Sequence, residues 1–173
     1  MAKNCLNKIV GSRTVECTIS PVGVKNIYLM YASDVTFTED KFGSLSGVTF
    51  ASDAFSYLIE GYKQNIQMTT SILSTDASQK LAVSIAFKTP ITKLNWLRSI
   101  LIGSFYVMVE GNNGIMTLVG AQAPLECSGF DYDSNGNAGL ATVTLSAPEG
   151  SAGNYIMSLT ADSITTIKSK VGF

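Results

Sequence analysis

Residues 64–88 carry the clearest alternation in the chain. Ile66, Met68, Thr70 and Ile72 fall on one side of an extended segment, and Gln67, Thr69 and Ser71 on the other. Across a loop at Ser74–Ser78, Leu81, Val83, Ile85 and Phe87 alternate with Ala82, Ser84 and Ala86. The pattern predicts two long antiparallel strands. Their second face is small and uncharged, so a neighbour can cover it without burying a charge. From Thr89 the period lengthens: Ile91, Leu94, Leu97 and Leu101 recur at helical spacing. Thr89 suits an N-cap, Pro90 the first helical position, and Gly103 a left-handed C-terminal cap. The chain then returns to a period of two, with Phe105, Val107 and Val109 alternating with Tyr106 and Met108. Gly111-Asn112-Asn113-Gly114 supplies turn residues, and Ile115 to Val119 reads as the partner strand.

The remaining segments are shorter. Residues 1–14 are polar and mixed, an arm rather than core. Val15–Ile19, Ile27–Tyr31 and Tyr57–Glu60 read as strands, as do Leu125–Phe130, Leu140–Ser146 and Asn154–Ala161. Residues 32–54 form a long, partly irregular excursion holding two short strand candidates, Val35–Phe37 and Val48–Phe50. Excursions of this length serve function or an interface more often than the core. Ile164 to Phe173 is a further strand or a tail. The expected fold is mainly β: an antiparallel barrel or sandwich with one α-helix at about 90–102, built as one domain over residues 1–173.

Composition narrows what such a fold does. The 173 residues are 46% hydrophobic and 14% charged, with a formal net charge of −1. A surface of Ser, Thr, Asn and Gly repels its copies weakly and suits close subunit contact. Lysines and arginines are scattered singly, which argues against a tight phosphate-binding surface. No run reaches the apolar length of a membrane span, and the first residues lack the apolar run of a secretory signal, so a cytosolic product is expected.

The chain has no histidine, which excludes Ser-His-Asp and Cys-His chemistry and the usual zinc ligands. The three cysteines, Cys5, Cys17 and Cys127, show no CxxC spacing and are expected as reduced thiols. No phosphate- or dinucleotide-binding glycine pattern occurs. Asp131-x-Asp133-x-Asn135-Gly136 imitates the start of a calcium loop, but position twelve is Thr142 rather than glutamate. A β-turn accounts for those residues better. Trp96, Phe105, Tyr106, Phe130 and Tyr132 are interleaved with Val, Met and Leu, and are expected in the core. The reading is therefore of a protein that is not an enzyme and holds no cofactor and no metal.

The order of elements is a long antiparallel pair, a helix, a hairpin with a glycine-asparagine turn, then further strands. It resembles the tail tube proteins of long-tailed bacteriophages, which share a fold with type VI secretion and contractile-injection tubes. Leu94-x-x-Leu97-x-x-Ile100 leading into Phe105–Gly120 carries the resemblance, and Gly129–Leu145 fits it. The resemblance implies homo-oligomeric rings, commonly hexamers, stacked into a conduit. It also implies other tail proteins as partners, DNA as passing cargo, and a place in the virion tail after synthesis in the host cytoplasm. A conduit must not hold a polyanion, so its lining should be neutral or acidic. The expected lumen-facing residues are Gln67, Thr69 and Ser71, with Glu60 and Asp76 near the rims. A head–tail connector or other tail component is the neighbouring alternative. A carbohydrate-binding β-sandwich is the alternative of another class.

Overall fold

The fold is given by a computed structural model that describes residues 4–9, 13–16, 23–39, 45–61, 65–75, 78–92, 94–136, 139–148 and 156–172. The chain is mainly β, with antiparallel sheets and two helices, consistent with a sandwich or barrel-like fold. In chain order the elements are β1 (Asn4–Ile9), β2 (Arg13–Glu16), β3 (Val24–Tyr31), β4 (Val35–Glu39), β5 (Leu45–Phe50), β6 (Ser56–Glu60), β7 (Ile66–Thr75) and β8 (Ser78–Pro90). After these come α1 (Leu94–Ile102), β9 (Ser104–Gly111), β10 (Met116–Val119), β11 (Leu125–Tyr132), β12 (Leu140–Ser146), β13 (Met157–Ser158) and α2 (Ala161–Ser169).

Strand β9 lies at the centre. It pairs with β3 along one side, and with β10 and then β11 along the other. Through β11 the sheet continues to β12, β8 and β7; through β3 it reaches β6. A strand in that position is covered on both faces, so both sides of its alternation are buried. Phe105, Val107 and Val109 face a first core shared with Ile27, Leu29, Ile85, Phe87, Val143 and Leu145. Met108 faces a second core with Tyr28, Met30, Leu45, Leu118 and Ile167. The β4–β5 hairpin, paired from Val35–Phe50 to Glu39–Leu45, and α2 contribute to that second core. The 32–54 excursion is thus an ordered two-stranded element over its described residues. Strands β1 and β2 pair with each other as a separate two-stranded sheet, so the described part of the arm has regular structure.

Helix α1 begins later than the Thr-Pro pair suggests. Thr89 and Pro90 finish β8, opposite Ala141 and Leu140, and Thr89 is buried. Staying in the ladder satisfies the backbone there, and proline is tolerated where the strand ends. The helix packs through Leu97 and Ile100, with Trp96 and Leu101 half-buried beside them; Leu94, in the first turn, is 54% exposed. Gly103 is not left-handed. Glycine is needed there because a Cβ would strike the Phe105 ring and crowd the Ser99 carbonyl. In the following hairpin Gly114 has φ +80°, and the Ile115 amide donates to Asn113 Oδ1 at 3.1 Å. The turn residues therefore act as their sequence predicts.

The C-terminal region departs furthest from the expectation. The strand expected over 154–161 is reduced, among described residues, to Met157–Ser158. Residues 161–169 form a second helix instead of a strand or tail, so the fold does not have a single helix. Thr160 caps it, with its hydroxyl accepting from the Ser163 amide, and Asp162 and Lys168 complement the helix dipole at its two ends. Ile164 and Ile167 lie on one face of the helix and Val171 follows its end, all packed in the second core. The loop expected at 74–78 is also shorter: Thr75 and Ser78 are paired strand residues.

Candidate assembly surface

Four neighbouring strands, β7, β8, β12 and β11, put one set of side chains inward and the other outward. The inward set of Val83, Ile85, Phe87, Val143 and Leu145 is buried. Register aligns the outward set in rows. One row runs Gln67, Ala86, Thr144, Gly129, and the next Thr69, Ser84, Ser146, Glu126. Ser71 opposite Ala82 extends the face to the register pair Leu73–Lys80, and Lys88, Thr142 and Asp131 bound its other end. The face is thus built of small neutral residues with charges at its margin. Glu126 is engaged there, its Oε1 accepting from Ser104 Oγ at 2.9 Å.

Of the residues expected to face a lumen, Gln67, Thr69 and Ser71 come together on this face, all exposed. Glu60 is exposed at the end of β6, across from Asn26, and belongs to a different part of the sheet. Asp76 lies outside the described residues.

Strand β7 is also an edge. Among the described strands it pairs with β8 alone. Its sequence, IQMTTSILST, holds neither charge nor proline, the usual devices that stop edge-to-edge pairing. Toward its far end the core side runs past the core, leaving Ile72 68% exposed. An uncharged, ten-residue edge offers main-chain groups to another strand.

A second constellation was not anticipated. Glu110, at the end of β9, is 6% exposed. Its Oε2 accepts from Asn26 Nδ2 at 3.0 Å and Tyr28 Oη at 3.2 Å, and its Oε1 from Lys25 Nζ at 3.4 Å and Lys168 Nζ at 3.5 Å. Burial pushes the carboxyl pKa up. The Asn26 bond, the Lys168 charge, the Tyr28 bond and the Lys25 charge outweigh it and hold the group below the ordinary glutamate value. Burial and the facing carboxylate raise the Tyr28 pKa. Lys168 also lies 5.7 Å from the centre of the Tyr28 ring, a cation–π contact. The network ties α2 to β3 and β9. Its trace in the sequence is a lone glutamate closing the most apolar strand.

Between α1 and strands β3 and β6 lies a cleft of about 90 Å³, lined by Leu29, Tyr31, Tyr57, Trp96, Ser99 and Ile100. Tyr31 meets Tyr57 edge-on at 5.9 Å and Phe105 at a tilt at 4.8 Å. Phe105 is core as expected, whereas Phe130 and Tyr132 are 44% and 41% exposed, because β11 outruns the core. In the turn after β11, Asp133 Oδ1 accepts from the Asn135 amide at 2.9 Å. That bond and one from the Gly136 amide lower the Asp133 pKa, so its carboxylate serves the turn. Cys127 is a free, half-buried thiol; the side chains of Cys5 and Cys17 lie outside the described residues. Among the described residues no helix is long and apolar enough to cross a membrane. No protein-family model, curated protein or solved structure matches this chain.

Proposed function

We propose that this chain is a structural protein of a bacteriophage tail whose copies assemble into stacked rings, hexameric by the resemblance, forming the tube through which DNA passes. The observation that carries the reading is the four-strand face of small neutral residues, bordered by an uncharged edge. Such a face can line a conduit. Each lysine or arginine on it would add phosphate affinity through counterion release. The rows from Gln67–Ala86 to Ser71–Ala82 carry none, Lys88 and Lys80 standing only in the rows that bound them. The β7 edge gives identical copies a way to join head to tail, and heterologous contacts of that kind form rings where the rotation between copies closes. Its partners are then further copies and the adjoining tail components, and DNA is cargo rather than ligand.

Electron microscopy of the purified protein at rising concentration tests the reading. Rings, and then tubes, are the expected result. A chain that stays monomeric up to the highest soluble concentration overturns it.

A further inference from the structure

A continuous hydrogen-bonded path, β6-β3-β9-β11-β12-β8-β7, runs through the main sheet, with β10 and β13 branching from β9, and the two ends of that path are treated differently. Among the described strands the β7 end is open. The β6 end is partly occupied by the chain's own C-terminus. Ser56 is fully buried; its amide donates to the Lys170 carbonyl at 2.9 Å, and its carbonyl accepts from the Gly172 amide at 3.1 Å. Its hydroxyl donates to the Ile167 carbonyl at 2.8 Å, and Ser56 and Val171 form a parallel bridge. At the other end of this C-terminal strap, the Thr160 amide donates to the Leu45 carbonyl at 3.3 Å.

We propose that residues 159–172 are a detachable guard on an interface between copies, and that a second copy of this chain reaches the β6 edge only after they lift. The inference rests on the assembly reading above. The occupant is a second copy because this chain carries the complement at the other end of the same path, the β7 edge, which among the described strands pairs with β8 alone. Head-to-tail addition of identical units joins two such ends.

Three features make the strap detachable. First, its charged anchor can leave without stranding a buried ion. Of the four donors to Glu110, Lys168 alone comes from the strap, whereas Lys25, Asn26 and Tyr28 all stay behind on β3. Second, α2 is short, nine residues, and has no stability apart from its tertiary contacts. Third, only Ser163 and Ile167 of the helix are fully buried, with Leu159, Ile164 and Val171 partly buried against the second core, while Asp162, Thr165 and Ser169 are exposed and keep a released segment soluble. Lifting it frees three polar groups of Ser56 and uncovers apolar side chains that pack with Ile167 in the second core.

The test locks the strap in the full chain. Ser56→Cys with Val171→Cys places two thiols at paired positions, in a background with Cys5, Cys17 and Cys127 replaced by Ser. The oxidised form is expected to need at least a tenfold higher concentration to form rings than the same protein reduced. Lys168→Ala, which loosens the strap, is expected to lower that concentration severalfold and to speed amide exchange over 161–169. Oxidised protein that assembles as readily as reduced overturns the guard and leaves the assembly reading standing. Failure of the unmodified and reduced proteins to assemble at any concentration overturns the assembly reading, and the guard with it.

Discussion

Leu97 and Leu94 sit on the same helix, yet they differ in what they lose on truncation. Leu97 is 3% exposed, among Ile100, Phe105 and the strand residues of the first core, whereas Leu94 is 54% exposed in the first turn. Leu97→Ala should cost about 2–5 kcal/mol, the transfer term plus the cavity left behind. Leu94→Ala should change stability by about 0.5 kcal/mol or less. Melting curves of the two variants measured side by side decide the point; equal shifts would mean that α1 does not pack through Leu97. Glu110 gives the residue scale its pH dependence. Its folded pKa lies below the ordinary glutamate value, so its contribution is fully present above that value. It is lost as pH falls through the folded pKa. Glu110→Gln should therefore destabilise by about 1–3 kcal/mol at neutral pH, because four donors then face a neutral amide. The gap between variant and parent should close in strong acid. A gap that stays constant down to the acid limit would show that the network's charge contributes nothing.

Elements differ in how far the sequence announces them, and the reason is local or distant coverage. The alternation in β7 and β8 is legible because one face is buried and the other is not, and the pairing Ile66–Phe87 through Thr75–Ser78 follows from it. Strand β9 shows why a single alternation is not the whole story. Tyr106 and Met108 read as the second face, and their partners, β4, β5 and α2, lie far away in sequence. The strong local signal of Thr-Pro points to an earlier start of α1, and it yields to the β12 ladder across Thr89. Helix α2 was hidden for the opposite reason: Ser and Thr fill it, and its apolar positions number too few to show a period before the second core is known. The neutral outer face was readable residue by residue in Gln67, Thr69, Ser71, Ala82, Ser84 and Ala86. Its extension through Thr144, Ser146 and Gly129 needs the β8–β12–β11 register, which sequence alone does not supply.

For the whole molecule, the strand path from β6 to β7 has two unlike ends: β7, which among the described strands pairs with β8 alone, and β6, which the C-terminal strap holds at Ser56. Between them lies a face with charges at its margin. A chain of 14% charged residues could scatter that charge anywhere; the described strands keep it off the rows through Gln67 and Ser71. That placement joins the chemistry of the surface to the proposed work of a conduit, in which low affinity for a polyanion matters more than high affinity for a partner. The central claim is that copies assemble with this face inward, and a cryo-electron-microscopy reconstruction of the assembled protein measures it most directly. The account predicts rings whose lumen is lined by Gln67, Thr69 and Ser71, with the lysines and arginines outside or between subunits. A lumen lined by several lysines or arginines per subunit, or by the β4–β5 side of the sheet, would contradict it.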